Sequence, residues 1–466
     1  MTGTAVQANE PQFAFFCHRV TDLSIPGKIF TLTPEDIALL NPNTRTCPVF
    51  RTQRDADITK TIYRRVPVLI RENDAAGNPW GIKFQLMFMM NTASHLFRTH
   101  EELQEADGML EGNRWTVPAA VSVNGREIAA GRWLPLYEAK MVHHFDHRWA
   151  TYETVTVAKG KKEAGDLATR DVTIAEKQNP DFVVQPRYWV AESEVDAKAA
   201  SDAGWFIGFR DITNTTNERT AIFGIVPRAA VGNKLPLIGL NKPPILTTCF
   251  FVNCTSYVFD FITRQKMGGT SMNFYLIQQF VSLDPLAFNC TYAMTEGLTV
   301  AAWIASRVLE LTYTANDLAS FALDLGYNGT PFTWDDDRRF WLRAELDAAF
   351  FHLYGIGRDD VDYIMETFPI VKRKDIAAHG SYRTKEAILE IYDAMAEAQR
   401  TGNPYQTKLD PPPANGWIPP ALPPLDEDVK PEAKAAPLVK ESGKAYLHPE
   451  PEDLVPVLPP EDLRLL

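Results

Sequence analysis

GWFIGFRDI (204–212), RTAIFGIVP (219–227) and TTCFFVNCTSYVFDFI (247–262) decide the predicted fold. These runs are rich in aromatic and β-branched residues and are bounded by Asn, Gly, Thr and Pro, which is typical of strands. After Asp284 the apolar residues recur at a spacing near 3.6, which predicts helices. The helical stretches are 296–314, 334–355, 358–371 and 383–402. The sequence therefore predicts an α+β protein whose β-rich part is followed by a helical segment.

The predicted elements outside these two parts are shorter. Strand-like runs at 13–20 and 28–32 precede a helix for which Thr33 is the expected N-cap and Pro34 the first residue. Residues 55–72 are predicted to begin as a helix and to end as the strand VPVLI, and a further helix is expected near 100–110. From Pro404 the chain is rich in proline and charge, so we expect 404–466 to be mostly disordered.

Composition leaves several classes of protein open. The 466 residues, of which 45% are apolar and 11% aromatic, suffice for a sizeable core and about two or three domains. The sequence has neither a secretory signal nor a membrane-length apolar run, and its five cysteines are scattered, so we expect a cytoplasmic location with reduced thiols. The net charge of −12 neither supports nor excludes nucleic-acid binding, because the local field at a groove matters more than the sum.

The densest cluster of polar groups lies in LPLYEAKMVHHFDHRWATYE (134–153), which holds His143, His144, Asp146 and His147 within five residues. The order His-His-x-Asp-His is not a known metal-ligand spacing, and a strand would turn His144 away from its neighbours. We therefore favour a buried polar network at a domain junction, formed with Lys140, and expect no metal site. Metal binding and contact with DNA or a catalytic domain remain alternatives.

A second candidate segment is VFDFITRQKMGGTSMNFYLIQQFVSLDP (258–285). Its two glycines would let the backbone approach a ligand closely, and neighbouring hydroxyls, amides and cations suit phosphate oxygens or base edges. The candidate residues are Arg264, Gln265, Lys266, Gly268, Gly269, Thr270, Ser271 and Asn273. The alternative is an ordinary β-hairpin turn followed by an apolar helix.

A third segment, GFRDITNTTNERTAIFGIVPR (208–228), places polar side chains around a probable turn. Loops between strands often carry recognition residues, although a solvated hairpin would have the same composition. The candidate residues are Arg210, Asn214, Asn217, Arg219 and Arg228.

Sequence patterns for catalysis are absent. Adenine methylation requires an Asn/Asp-Pro-Pro-aromatic tetrapeptide for the flipped base, and the chain contains none. There is no early glycine-rich loop for S-adenosylmethionine, no Walker loop and no nuclease pattern of paired acids. We therefore assign no catalytic residue.

Five stretches together resemble the C-terminal region of large adenine-N6 DNA methyltransferases of type IIG and type ISP restriction–modification systems and of DISARM-like phage-defence systems. The likeness spans roughly residues 13–413, with long motifs in the family's order. The stretches are TLTPEDIALLNPNTRTCPVFRT (31–52), LPLYEAKMVHHFDHRWATYE (134–153), GFRDITNTTNERT (208–220), VFDFITRQKMGGTSMNFYLIQQFVSL (258–283) and LRAELDAAFFHLYGIGRDDVDYIMETFPIVKRKD (342–375).

The resemblance implies a domain order in which the Rossmann-like catalytic domain is missing except for terminal strands. The implied regions are the tail end of a methyltransferase-like domain (1–52), a mixed α/β linker (53–133), a DNA-binding target-recognition domain (134–285), a helical domain (286–403) and a Pro-rich acidic tail (404–466).

The implied function is sequence-specific recognition of double-stranded DNA that positions an adenine for a methylase domain on another chain. We expect no cofactor on this chain and S-adenosylmethionine in that catalytic subunit, with other restriction or defence subunits as further partners and no membrane. The expected DNA-facing residues are Arg264, Gln265, Lys266, Gly268, Gly269, Thr270 and Asn273, then Arg210, Asn214 and Arg219. Lys140, His143, Asp146 and His147 are expected at the junction with the catalytic domain.

Two other functions are open at this point. One is a protein-interaction scaffold of a defence complex, which would itself contact little DNA. The other is a metal-dependent hydrolase that would use His143, His144, Asp146 and His147. Because the tetrapeptide and the cofactor loop are absent, methyl transfer by this chain alone is not expected.

Overall fold

The computed structural model describes residues 11–155 and 165–422 and shows a mixed α+β fold. The strands of this part, in chain order, are β1 (Gln12–Phe13), β2 (Phe30–Thr31), β3 (Lys83–Gln85), β4 (Met109–Glu111), β5 (Arg114–Val117), β6 (Val121–Val123), β7 (Arg126–Ile128), β8 (Gly131–Tyr137), β9 (Ala150–Thr154), β10 (Leu167–Asp171), β11 (Trp189–Ala191), β12 (Trp205–Phe209), β13 (Phe223–Pro227), β14 (Ala230–Val231) and β15 (Leu237–Gly239). The helices are α1 (Pro34–Leu40), α2 (Gln53–Arg65), α3 (His100–Glu105), α4 (Ile174–Gln178), α5 (Glu192–Lys198), α6 (Pro244–Thr255), α7 (Tyr257–Lys266), α8 (Phe274–Ile277), α9 (Val300–Thr312), α10 (Ala319–Asp324), α11 (Asp336–Leu353), α12 (Arg358–Glu366), α13 (Pro369–His379) and α14 (Arg383–Thr401).

The longer strands form two sheets. One has the antiparallel order β11-β8-β5-β4, with β14 added parallel to β8, and the other has the antiparallel order β13-β12-β15-β3. In the second sheet Gly208 of β12 lies opposite Gly224 of β13. The pairs β1–β2, β6–β7 and β9–β10 are separate antiparallel ribbons.

One apolar core contains side chains from most of the described chain. Each of the five predicted regions contributes to it, as the buried side chains of Leu40, Ile62, Phe250, Trp303 and Tyr405 show. A second core fills the space between the two sheets and includes residues of β8, β11, β12 and β13. The predicted regions therefore share a core in the described part of the chain.

The predicted strand at 247–262 is wrong, because these residues form α6 and α7. Pro244 begins α6, and the Ser256 hydroxyl accepts a hydrogen bond from the Phe259 amide at the start of α7. Both helices are buried on nearly every side, and the apolar residues of α6 follow no 3.6-residue stripe. A continuous apolar run of this kind does not distinguish a buried strand from a buried helix.

Several other local predictions are confirmed. The Thr33 hydroxyl accepts from the Asp36 amide at 3.1 Å and Pro34 is the first residue of α1. The range 286–403 contains helices α9–α14 and no strand, and Gly402 ends α14 with a φ of 76°. The predicted helix 358–371 is divided into α12 and α13, and α10 was not predicted.

Three predictions need correction. Between residue 11 and residue 32, only Gln12–Phe13 and Phe30–Thr31 pair as strands, and VPVLI is an extended segment whose Val68 forms an isolated bridge to Val281. Residues 404–422 pack on the helices, because the Tyr405 ring enters the core and its hydroxyl donates to Glu345 at 2.9 Å. The rest of the predicted disordered tail, 423–466, lies outside the described residues.

Candidate nucleic-acid interface

Two segments chosen from the sequence lie side by side in the structure. The Thr213 amide donates to the Thr270 carbonyl at 3.0 Å, the Met272 amide donates to the Asp211 carbonyl at 2.8 Å, and Ile212 pairs with Ser271. We call residues 211–220 and 267–273 the paired loops. They connect the strand β12 to β13 and the helix α7 to α8. The fold thus brings together candidates that are distant in the sequence.

Side chains inside the first loop hold its shape. The Thr213 hydroxyl donates to the Thr220 carbonyl at 2.7 Å, and the Thr220 hydroxyl donates to the Asn214 carbonyl at 3.0 Å. The Asn214 side-chain oxygen accepts from the Thr216 amide at 3.0 Å. Asn214 therefore acts within the loop, and Thr216 and Asn217 are its exposed polar residues.

A buried carboxylate lies beneath the paired loops. Asp260 is completely buried and accepts from Arg219 Nε at 2.7 Å and from Arg264 Nε at 3.1 Å. Arg264 also donates to the carbonyls of Asn217 and Glu218. These two arginines were expected to face DNA, but their guanidinium groups are engaged inside the protein, where they fix the loop backbone.

Gln265 and Lys266 are also buried rather than DNA-facing. Lys266 Nζ donates to the carbonyls of Leu40 and Gln279 and to the side-chain oxygen of Asn41, with no carboxylate partner in the described residues. Burial holds the pKa of Lys266 well below its usual range. The Gln265 carbonyl accepts from the Val49 amide. Both residues connect α7 to the N-terminal segment.

Arg210 binds the polar segment identified at 134–153. Its Nε and Nη2 donate to the Val142 carbonyl at 2.9 and 2.7 Å, and burial lowers the pKa of its guanidinium to about 10. The residue is half-buried. Arg210 therefore connects the second sheet to the segment that contains His143.

The remaining candidates are exposed on the outer side of the paired loops. They are Gly268, Gly269, Thr270 and Asn273. A methyl group built on Gly269 would meet no atom within 4 Å, so the backbone there is open to an approaching molecule.

Sequence reasoning missed Arg51 at this surface. Its guanidinium donates to the Thr215 hydroxyl at 3.3 Å, lies 4.4 Å from the Phe16 ring centroid and has no carboxylate within 4.0 Å among the described residues. Arg51 belongs to the stretch 31–52, but nothing in its local spacing connects it with loop 211–220. Only the tertiary fold shows this neighbour.

The histidine-rich segment forms separate interactions rather than one ligand set. His144 Nε2 contacts the Ala221 carbonyl at 2.7 Å, Asp146 pairs with Lys177 at 2.6 Å, and His147 pairs with Asp317 at 2.9 Å. His143 stacks on Trp149, while Lys140 is exposed and lies over the Tyr152 ring. Within residues 11–155 and 165–422, no three His, Cys, Asp or Glu side chains group as metal ligands. The segment joins neighbouring elements of this chain.

A cavity lies next to the paired loops and to the histidine-rich segment. We call it the central cavity; its volume is about 340 Å³, and its walls include His143, Trp149, Arg219, Tyr257, Arg343 and Asp347. Burial raises the pKa of Asp347 to about 6, although Arg219 and the Tyr257 amide lower it in part. Burial also holds the pKa of His143 well below its usual range. Near neutral pH its imidazole is therefore uncharged.

The sequence matches no protein-family model, and comparisons with curated proteins and with solved structures also gave no match. In the part of the chain that the structure describes, no single helix is long and apolar enough to cross a membrane. The bent helix pair α6–α7 has the length and apolar composition of a membrane-spanning segment, but its residues are almost all buried in the core.

Proposed function

We propose that this chain binds double-stranded DNA through the exposed side of the paired loops. The observation that carries this proposal is the adjacency of residues 211–217 and 268–273, which present amides, hydroxyls and open glycine backbone on one surface. Arg51 adds an exposed cation at its edge. Groups of this kind contact phosphate oxygens, and asparagine side chains can also read base edges.

Different residues of this surface suit different parts of a duplex. Arg51, the Thr270 hydroxyl and the backbone at Gly268 and Gly269 suit the phosphates, which fix register but carry no sequence information. Asn217 and Asn273 are the exposed side chains that can pair with base edges. We assign Arg219, Arg264 and Lys266 to positioning, because their polar atoms bind the backbone from inside.

The biological setting that we propose is the recognition part of a site-specific adenine-N6 DNA methyltransferase in a restriction or phage-defence system. Its support is the sequence resemblance, together with the missing Asn/Asp-Pro-Pro-aromatic tetrapeptide. In this proposal residues 134–285 act as the target-recognition region, and another polypeptide supplies S-adenosylmethionine and the methyl-transfer site.

Duplex binding as a function of salt tests the proposal. Fluorescence anisotropy with a random-sequence duplex should show affinity that falls linearly with the logarithm of salt concentration, because bound phosphates release counterions. Arg51→Ala should reduce that slope by about one. Arg400→Ala is the matched control, since Arg400 is exposed at the end of α14 and pairs only with Glu397 among the described residues. A wild-type chain that binds no duplex at low salt would refute the proposal.

A second candidate is a subunit that docks a methyltransferase catalytic polypeptide. It is favoured by the large apolar side chains that the N-terminal segment exposes, which are Phe16, Val20, Leu23, Ile25 and Ile29. Contiguous exposed apolar residues often mark a protein interface. Co-expression with neighbouring genes should then recover the catalytic chain, and Val20→Asp with Ile25→Asp should abolish recovery without changing DNA affinity.

A further inference from the structure

The central cavity contains polar atoms that have no partner among the described residues. They are the ring nitrogens of His143, the hydroxyl of Tyr257, the terminal guanidinium nitrogens of Arg343 and one carboxylate oxygen of Asp347. Tyr257 and Asp347 are each less than a tenth exposed. Two of these groups, on Tyr257 and Asp347, belong to buried residues, and a cavity lined by several unpartnered polar groups can accept a ligand or ordered water.

Charge is distributed unevenly between the mouth of the cavity and its interior. Arg343 is exposed and has no carboxylate within 4.0 Å among the described residues; its Nε donates to the Arg339 carbonyl at 3.2 Å. Lys374 is also exposed, with Glu218 as its partner. Deeper inside, Arg339 donates to the carbonyls of Leu311 and Phe145 and lies over the Trp334 ring, with no carboxylate within 4.0 Å among the described residues. The unpaired guanidinium at the mouth favours an anionic group there.

The interior presents groups that both donate and accept hydrogen bonds. One oxygen of Asp347 accepts from the Tyr257 amide at 2.8 Å, and the other has no hydrogen-bond partner among the described residues; the Tyr257 and His143 side chains belong to the same lining. Val252 and Leu346 complete this wall with apolar atoms. A flat heterocycle with adjacent donors and acceptors matches such a lining. A cavity of about 340 Å³ lies within the range of small-molecule sites, ~300–1,000 Å³.

We propose that the central cavity is a nucleotide-binding site. The phosphate lies at the mouth on Arg343, and the base lies inside against Asp347, Tyr257 and His143. The nucleotide is either a free mononucleotide or an extrahelical nucleotide of a bound DNA strand. This site adjoins the paired loops, whose Arg219 lines it, but it differs from their exposed face, which binds the outside of a duplex in the proposed function.

Calorimetric titration of the full chain with the four deoxynucleoside monophosphates tests this proposal. Quenching of tryptophan fluorescence provides a second signal, because Trp149 and Trp334 line the cavity. At least one mononucleotide should saturate one site per chain, and its nucleoside should bind about tenfold more weakly because it lacks the charge-assisted contact. Inorganic phosphate alone should bind more weakly than the mononucleotide.

Two variants separate the two parts of the site. Arg343→Ala should weaken the mononucleotide about tenfold while leaving the nucleoside unchanged, because Arg343 is exposed and contacts only the phosphate. Asp347→Asn should change the ranking among the four bases. Arg373→Ala is the control, because Arg373 is exposed on α13 and does not line the cavity. Its affinity should equal that of the wild type.

Three results would overturn the proposal. They are no saturation by any mononucleotide up to about 5 mM, equal affinity for inorganic phosphate, or unchanged affinity in both cavity variants. If a mononucleotide binds, a duplex with one unpaired base can be tested as a competitor. Displacement of the mononucleotide would show that the natural ligand is a nucleotide of DNA, and a lack of displacement would show that it is a free nucleotide. Failure of nucleotide binding can be distinguished from failure of duplex binding, because Arg51→Ala should weaken duplex binding and leave mononucleotide affinity unchanged.

Discussion

Arg219 and Asp260 form an ion pair of 2.7 Å beneath the paired loops, and the carboxylate is fully buried. The other oxygen of Asp260 accepts from Arg264, whose guanidinium reaches the carbonyls of Asn217 and Glu218. One carboxylate thus holds two arginines that together fix the backbone of loop 211–220. The exposed residues of that loop are therefore held in place by side chains that are largely buried.

Replacing the shared carboxylate should destabilise the protein strongly. Asp260→Ala leaves two guanidinium groups buried without their counter-charge, a situation that typically costs about 3–5 kcal/mol. Urea unfolding followed by circular dichroism measures the loss. The exposed pair Arg400–Glu397 provides the control, and Arg400→Ala should leave the urea midpoint unchanged. A similar midpoint for both variants would show that Asp260 does not stabilise the loops.

The buried Lys266 should make stability depend on alkaline pH. Its pKa in the folded chain lies well below the ordinary 10.5, so the unfolded chain binds more protons between these two values. Stability of the wild type should therefore rise with pH until about 10.5, whereas Lys266→Met lacks this contribution. Urea unfolding at several pH values from 7 to 10 should show the free energy of unfolding of the wild type increasing relative to that of the variant. A constant difference would contradict the depressed pKa.

Asp347 should make stability depend on pH in the opposite direction, so that its contribution falls as pH rises. Its pKa rises from 3.8 to about 6 on folding, so the folded chain binds the proton more tightly. The stabilising contribution of that proton is complete below about pH 4 and is lost as pH rises through 6, a change of ~3 kcal/mol. Asp347→Asn should therefore gain stability relative to the wild type between pH 4 and pH 7. Parallel pH profiles for the two proteins would refute this assignment.

The proline-rich segment after α14 should be part of the folded unit up to residue 422. Tyr405 and Thr407 both donate to Glu345, which also pairs with the buried Arg307. Truncation after Asn403 removes the Tyr405 ring and these hydrogen bonds, so it should lower the melting temperature by several degrees. Truncation after Leu422 is the control and keeps all these contacts. Equal melting temperatures would show that 404–422 contributes nothing.

The sequence predicts well where local patterns determine structure. The capping residues Thr33 and Pro34 and the amphipathic helices α9 and α14 need only their own neighbours, so these predictions are confirmed. The part of the buried run 247–262 that forms α6 has no amphipathic stripe, and the aromatic and β-branched residues of the whole run favoured strands incorrectly. Local propensity there is overridden by tertiary packing. The break between α12 and α13 follows from Pro369 at the start of the second helix.

The candidate interface was only partly predictable for a related reason. Residue type and loop position identified both of the paired loops, but they do not tell whether an arginine points outward or beneath the loop. Arg264 and Lys266 lie on α7, whose whole surface is buried, and this depends on distant segments such as Leu40–Asn41. Arg51 comes from another part of the chain altogether. Such relations arise from tertiary contacts that no spacing in the sequence encodes.

The substitution Gly269→Val tests the central claim most directly. Gly269 is exposed, its φ is not left-handed and a side chain there meets open space, so the fold should tolerate valine. Gly357→Val is the matched control, because Gly357 has equally open surroundings with a φ of −71°. Duplex affinity should fall at least tenfold in Gly269→Val, with unchanged melting temperature, and should stay at the wild-type value in Gly357→Val. Equal duplex affinity in both variants would contradict DNA binding by the paired loops.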